Sequence, residues 1–265
     1  MTRVTSTTEV RQLMRAEWIK LRSLRSSKWT IAALVATTVG LGALISFEAA
    51  SQFHSFSSHD KATWDPTNNS LAGAAFGELA VAVFGVLAIT AEYASGTIRS
   101  SVAAAPRRTP LLLAKAVVYG GVALVVGEVI SFASYFIGQS LHSGRAPVSN
   151  IGDPGVIRAI AMTGGYLALV CLMALGIGLA LRHTAGAIAS MVALLLVLPG
   201  VFAALPSSVQ NSVLKFMPEQ IAANSTGAVL HEPHYFGPWT GMSLLVIYAA
   251  VAMAIGTWTF ARRDV

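Results

Sequence analysis

Two acidic residues, Glu78 and Glu128, lie inside long apolar runs, and a third, Glu92, opens a short polar segment between two such runs. A charge at mid-membrane costs about 2.5–3.5 kcal/mol on an insertion scale, so such a group faces a bundle interior or a watery cavity. There a carboxylate binds a cation, carries a proton, or is protonated and hydrogen-bonded as a structural group. The polar segment, residues 92–108, reads EYASGTIRSSVAAAPRR and carries Arg99, Arg107 and Arg108. Its pattern predicts a tight turn at Gly96-Thr97 followed by a short helix that stops at Pro106. A structured connector of this kind suits either a docking point for a soluble partner or an ordinary polar link between helices.

Other chemistry has no motif here. No G-x-x-x-x-G-K-[ST] loop is present to cradle nucleotide phosphates. The spacings of a zinc site, H-E-x-x-H or paired C-x-x-C, are absent as well. His54, His59, His142, His231 and His234 fall in polar connectors, where solvated loop histidines are the ordinary case; no metal is expected. Cys171, the single cysteine, lies in an apolar run and reads as a packing thiol.

The elements that must position these residues follow from composition. Of 265 residues, 54% are hydrophobic and 11% charged, against about 25% charged in a typical soluble domain. The fold class is therefore an all-α membrane protein, read as a single six-span domain over residues 1–265. A membrane-crossing helix needs roughly 20 mainly apolar residues. Six stretches qualify: 29–47, 71–91, 112–138, 157–181, 184–205 and 238–260. The first is preceded by a long basic stretch and reads as a retained anchor, with no cleaved signal. With six spans, fourteen of the eighteen Lys and Arg residues fall on the side that carries both termini. The positive-inside bias makes that side cytosolic. The net charge of +6 thus reflects topology, and nucleic acid is not an expected partner.

Before the first span, Val10, Leu13, Met14, Trp18, Leu21 and Leu24 recur at helical spacing, with Arg11, Arg15, Arg22 and Arg25 largely on other faces. Residues 8–28 therefore read as an amphipathic interfacial helix with a basic face, suited to an anionic leaflet of the lipid bilayer. Gly73 and Gly77 form a G-x-x-x-G that permits close helix contact. Pro199, Pro206 and Pro218 break the connector before the last span, which has room for short helices.

Glu92-Tyr93-Ala94-Ser95-Gly96-Thr97-Ile98-Arg99, then Ala105-Pro106-Arg107-Arg108 and Leu112, Leu113 and Lys115, resembles the permease subunits of type-two ATP-binding cassette (ABC) exporters, notably actinobacterial ones. The segment Glu17-Trp18-x-Lys20-Leu21 is similar to the interfacial helix of the same permeases. The resemblance implies a permease in the cytoplasmic membrane that forms the substrate path and is not itself an enzyme. It implies a separate cassette ATPase subunit, commonly two copies, which binds ATP and Mg. It also implies a second permease, identical or paralogous. Residues 92–108 would be the coupling helix, with Glu92, Tyr93, Gly96, Thr97, Ile98 and Arg99 docking the ATPase. Independently of the resemblance, the place of Glu78 and Glu128 inside apolar runs predicts that they line the substrate path or the wall just behind it. Substrates in the family include drugs, peptides, polysaccharides and lipids, so drug or antibiotic efflux is one expectation. The rival is an ion-coupled carrier or channel that uses Glu78 and Glu128 as a relay.

Overall fold

The computed structural model describes residues 5–100, 108–206, 210, 212–228 and 235–262. Among these residues every regular element is helical. Six helices are long and apolar enough to cross a membrane: Arg25–Ser55, Pro66–Ala94, Thr109–His142, Val156–Leu181, Thr184–Ala203 and Pro238–Arg262. Each corresponds to one expected stretch. The first three run to 31, 29 and 34 residues, so helix takes over much of what read as connector. His142, expected in a connector, is instead the last residue of the third span and is fully buried.

The fourth span is the centre of the bundle, packed against the second, third and sixth. Small residues make this possible, because without bulky side chains between them two backbones approach closely. A Cβ on Gly256 would meet the carbonyl of Gly176 at 2.5 Å, and one on Gly127 would meet that of Gly164 at 2.9 Å. Large apolar side chains on the other spans, Leu44, Val125, Val129, Leu196, Val251 and Trp258 among them, remain exposed. That outward apolar surface suits hydrocarbon, where backbone groups are satisfied inside each helix.

The expected G-x-x-x-G contact is present. A Cβ on Gly73 would strike the carbonyl of Thr38, and one on Gly77 the Thr38 hydroxyl, so the first two spans touch backbone to backbone. The first span carries a π-helical turn at Ala36–Leu41 where this contact forms. A second π turn, Ala193–Val197, precedes Pro199 in the fifth span. The wider turn accommodates a proline that has no N–H to give the ladder.

Two sharp joints shape the rest. Leu24, in extended backbone (φ −76°, ψ 125°), separates the N-terminal helix Thr5–Ser23 from the first span. Arg182, with φ 58°, ends the fourth span, and His183 Nδ1 accepts the Gly186 N–H at 3.2 Å to start the fifth. Before the last span, the proline-broken connector folds into a short helix, Pro218–Thr226, whose Ile221 and Ala222 are buried against the fourth and sixth spans.

Candidate functional site

Four charged side chains meet at one end of the bundle. Lys115 lies on the third span, Glu92 near the end of the second, and Glu17 and Lys20 on the N-terminal helix. The Lys115 ammonium donates to Glu17 Oε2 at 2.5 Å, to Glu92 Oε1 at 2.8 Å and to the Ala88 carbonyl at 3.0 Å. All three ammonium protons therefore have an acceptor. Lys20 donates to Glu17 Oε1 at 3.0 Å and to Glu92 Oε1 at 3.1 Å. Two cations and two anions give a neutral set, which is what allows burial. Lys115 is wholly buried and Glu17 almost so, while Glu92 keeps 11% of its side chain exposed and Lys20 38%. Burial lowers the Lys20 pKa, but Glu17 and Glu92 outweigh it and hold the ammonium above its ordinary value.

The segment expected to couple to a partner starts beside this cluster. Gly96 adopts φ +71°, the left-handed conformation the turn requires, with open space where a Cβ would go. Its N–H reaches the Tyr93 carbonyl at 3.2 Å, and its carbonyl accepts from Arg99 N–H at 3.3 Å. Helix resumes at Ile98. Thr97, Arg99 and Ser100 are exposed, while Ile98 is buried in the core. Residues 101–107 of the expected coupling helix, Pro106 and Arg107 among them, lie outside the described residues. Tyr93 packs its ring under the Arg182 guanidinium at 5.4 Å, and Arg182 also lies over Phe260 at 6.0 Å. The segment is thereby attached to the ends of the fourth and sixth spans. Glu92 differs from the expectation of a free docking charge: its carboxylate is bonded to Lys115 and Lys20 of the same chain.

Glu128 is not among the residues that line the cavity around Glu78. Glu78 is buried and accepts a hydrogen bond from the Tyr166 hydroxyl on the fourth span. Together they line a cavity of about 200 Å³ with Glu219, Asn68 and Thr226. Burial pushes the Glu219 carboxyl above its ordinary value. Glu128 lies elsewhere on the third span, half-buried against Gly164. Glu78 and Glu92, fourteen positions apart on one helix, are separated by roughly 21 Å along its axis. Three larger recesses are mainly apolar, the smallest of them, about 430 Å³, along Leu44, Ile45 and Ala49 of the first span. One of about 600 Å³ lies between the fourth, fifth and sixth spans and Phe216, and one of about 520 Å³ between the third, fourth and sixth.

The N-terminal helix turns only part of its apolar stripe inward. Leu21 is buried and Met14 packs on the core, whereas Trp18 and Leu24 of that stripe are exposed, as are Arg22 and, at the start of the first span, Arg25. Its contacts are chiefly with the third span. At the opposite end of the bundle, Arg158 donates to the carbonyls of Ser225 at 3.0 Å and Gly227 at 3.0 Å. Asp65 caps the start of the second span through the N–H groups of Thr67 at 2.9 Å and Asn68 at 3.0 Å, and accepts from Ala228 N–H at 2.9 Å. Among the described residues no group of three His, Cys, Asp or Glu side chains forms a metal-binding set; His231 and His234 lie outside them.

No motif in the sequence singles out Tyr166 or Glu219, and Glu17, Lys20 and Lys115 stand in it as matches to a pattern or as topology charges. Signals for two of them were present. Lys115 stands alone among apolar residues, and Glu17 falls on the apolar stripe of its own helix, four residues before Leu21. A lone charge on a buried face needs a partner.

Six apolar helices, a central span packed through glycines and a charge cluster at the start of a polar connector define a multi-pass α-helical membrane protein with a permease architecture. Residues 17–265 match the family of ABC-2 family transporter proteins, and the chain belongs to that family. It is a permease subunit of an ABC transporter, a membrane transport component whose family associates with an ATP-binding cassette subunit. Comparison with curated proteins returns no match.

Proposed function

We propose that the chain is the permease of an exporter, driven by a separate ATPase that docks on residues 92–108. ATP and Mg are held by two copies of that ATPase, and two permeases, identical or paralogous, face each other across the path. Both termini lie in the cytosol of a cell whose inner membrane the chain spans. The observation that carries this reading is the turn at Gly96. A left-handed glycine presents Thr97, Arg99 and Ser100 to solvent while Ile98 is anchored in the core. A compact protruding contact with a buried root is what force transfer from a soluble motor needs. Tyr93, stacked on Arg182, and Glu92, bonded to Lys115, transmit from that contact into the bundle. They act as positioning residues behind the docking surface.

Glu78 belongs to the substrate path in this reading, because it lines a cavity with Tyr166 and Glu219. Glu128 is not among the residues lining this cavity, which weighs against a two-carboxylate proton relay within it.

The test is co-expression with the cassette ATPase and reconstitution of the purified complex into vesicles. ATP-driven movement of substrate away from the ATPase side is expected, and Gly96→Val should uncouple it while the permease still inserts. Flux driven by a proton gradient with no ATPase present would refute the reading. So would full assembly and full flux in a chain carrying both Gly96→Val and Arg99→Glu.

A further inference from the structure

A cation without a counter-charge stands beside the apolar recess between the fourth, fifth and sixth spans, whose volume is about 600 Å³. Along the sixth span this recess reaches from Ile247 to Ile255, roughly 12 Å of helix. Leu194, in the π-helical turn of the fifth span, and Phe216, from the connector before the sixth, also line it. The Tyr248 hydroxyl donates to the Phe216 carbonyl at 3.1 Å. The connector thus dips in beside the sixth span, near a residue ten positions, about 15 Å, from the span's start. That bond occupies the one polar side chain in the wall. Lys215 comes just before, with its ammonium 5.3 Å from the centre of the Phe216 ring, at the rim of the recess. Among the described residues Lys215 makes no ion pair and no hydrogen bond. Glu219, the acid nearest to it in sequence, lines the cavity around Glu78 instead. A cation at membrane depth needs a partner to offset its lost hydration, and so marks a binding site.

We propose that the recess binds a single-chain amphipathic anion, such as a long-chain carboxylate, with its apolar body between the spans and its anionic head on the Lys215 ammonium. Charge complementarity selects the head, because a carboxylate supplies the acid that the chain itself does not. The wall selects the body, since it offers no free polar side chain to a ligand inside. Size selects one chain: ligand pockets hold a single small molecule in about 300–1,000 Å³, and this recess falls within that range. The Phe216 ring joins the two parts of the site, lining the recess while it carries the ammonium on its face. Glu78 and Glu219 would repel the same ligand from their own cavity. The inference therefore stands apart from the path assigned to Glu78 and from coupling through residues 92–108.

The experiment uses the full chain in phosphatidylcholine nanodiscs, without ATPase or nucleotide. The pH is mildly alkaline, so that a carboxylate is ionised and lysine is still protonated. The probes are a stearate with a diazirine in mid-chain and its methyl ester, which has the same chain and no charge. Labelled peptides are mapped by mass spectrometry and scored against labelling around Val129, which faces outward on the third span. The carboxylate should label residues 247–255 about tenfold more than the ester, the preference expected of one charge-assisted hydrogen bond. Lys215→Gln should bring the two probes to parity, and Lys215→Arg should keep the preference. Parity in wild type overturns the proposal, as does a preference that survives Lys215→Gln or is lost in Lys215→Arg. Phosphatidylglycerol that displaces the probe as well as unlabelled stearate does overturns it too, and would assign the recess to bilayer phospholipid.

Discussion

Lys115 on the third span and Glu17 on the N-terminal helix stand 98 residues apart in sequence and 2.5 Å apart in space. Neither side chain reaches solvent appreciably, with exposures of 0% and 1%. Removing one member of such a pair strands a buried charge, at a cost of about 3–5 kcal/mol. Lys115→Met alone should therefore lower thermal stability sharply in detergent. Combined with Glu17→Leu, most of the loss should return, because two apolar side chains of similar volume replace a neutral pair. A double variant no better than the single would show that Glu17 and Lys115 are not energetically coupled.

Lys20 should behave differently. Its side chain is 38% exposed, but its partners Glu17 and Glu92 are 1% and 11% exposed. Lys20→Met should cost less than Lys115→Met at neutral pH, yet more than the loss of a surface pair, because Glu17 and Glu92 are left to share one cation. The folded pKa lies above the unfolded one, so the contribution is complete below the ordinary lysine value and fades only as pH rises through the raised one. A difference between wild type and Lys20→Met that disappears at moderately acid pH would contradict this assignment.

At Gly96 the backbone conformation matters more than the volume of the side chain. No atom lies within 4 Å of the position a Cβ would take, yet φ is +71°. Asparagine visits that region far more readily than a β-branched residue. Gly96→Asn should keep most ATP-driven flux, whereas Gly96→Val should lose it. Equal flux in the two variants would remove the turn from the coupling argument.

Glu219 gives an acid-range signature. Its folded pKa is raised by burial, so the folded state holds a proton that the unfolded chain has already released. Stability should fall as pH rises from the ordinary glutamate value toward the raised one, then level off. Glu219→Gln should flatten this slope. A slope unchanged in Glu219→Gln, measured by thermal unfolding across that window, would move the effect to another group.

Gly73→Ala should loosen the bundle. The added methyl meets the backbone of Thr38 and Gly42, which cannot step aside as a flexible side chain does. Overpacking of this kind costs typically about 1–3 kcal/mol. Gly121→Ala, with nothing within 4 Å, serves as the matched control and should be silent or mildly stabilising. Equal stability of the two variants would dissolve the proposed close contact.

Much of this architecture was legible from residue types alone. Apolar length located all six spans, because the bilayer imposes one thickness on every crossing helix. Gly96 foretold the left-handed turn, and Gly73 with Gly77 foretold the close approach of the first two spans. Pairing across the sequence was not legible. Glu92 looked like a charge offered to another protein, since nothing local reveals that Lys115, one span later, and Lys20, far earlier, converge on it. Glu78 and Glu128 looked like a pair because both are acids in apolar runs. Which face each occupies depends on the rotation of its helix, and helix rotation is set by neighbours rather than by spacing. The ends of spans were also misjudged, as at His142, because interfacial residues such as Gln139 can continue a helix into what reads as a loop.

The contact of Thr38 with Gly73 has a kinematic consequence. Starting from Leu24, the chain runs up the first span to Thr38, crosses to Gly73, descends the second span to Glu92, passes through Lys115 to Glu17, and returns along the N-terminal helix to Leu24. That circuit is a closed linkage of stiff bars, in which no bar can swing without its neighbours following. Of its corners, Leu24 is the one made of a single extended residue. A tug at the segment after the second span is therefore shared among the corners of the circuit, and Leu24 is the one corner where no helix has to bend.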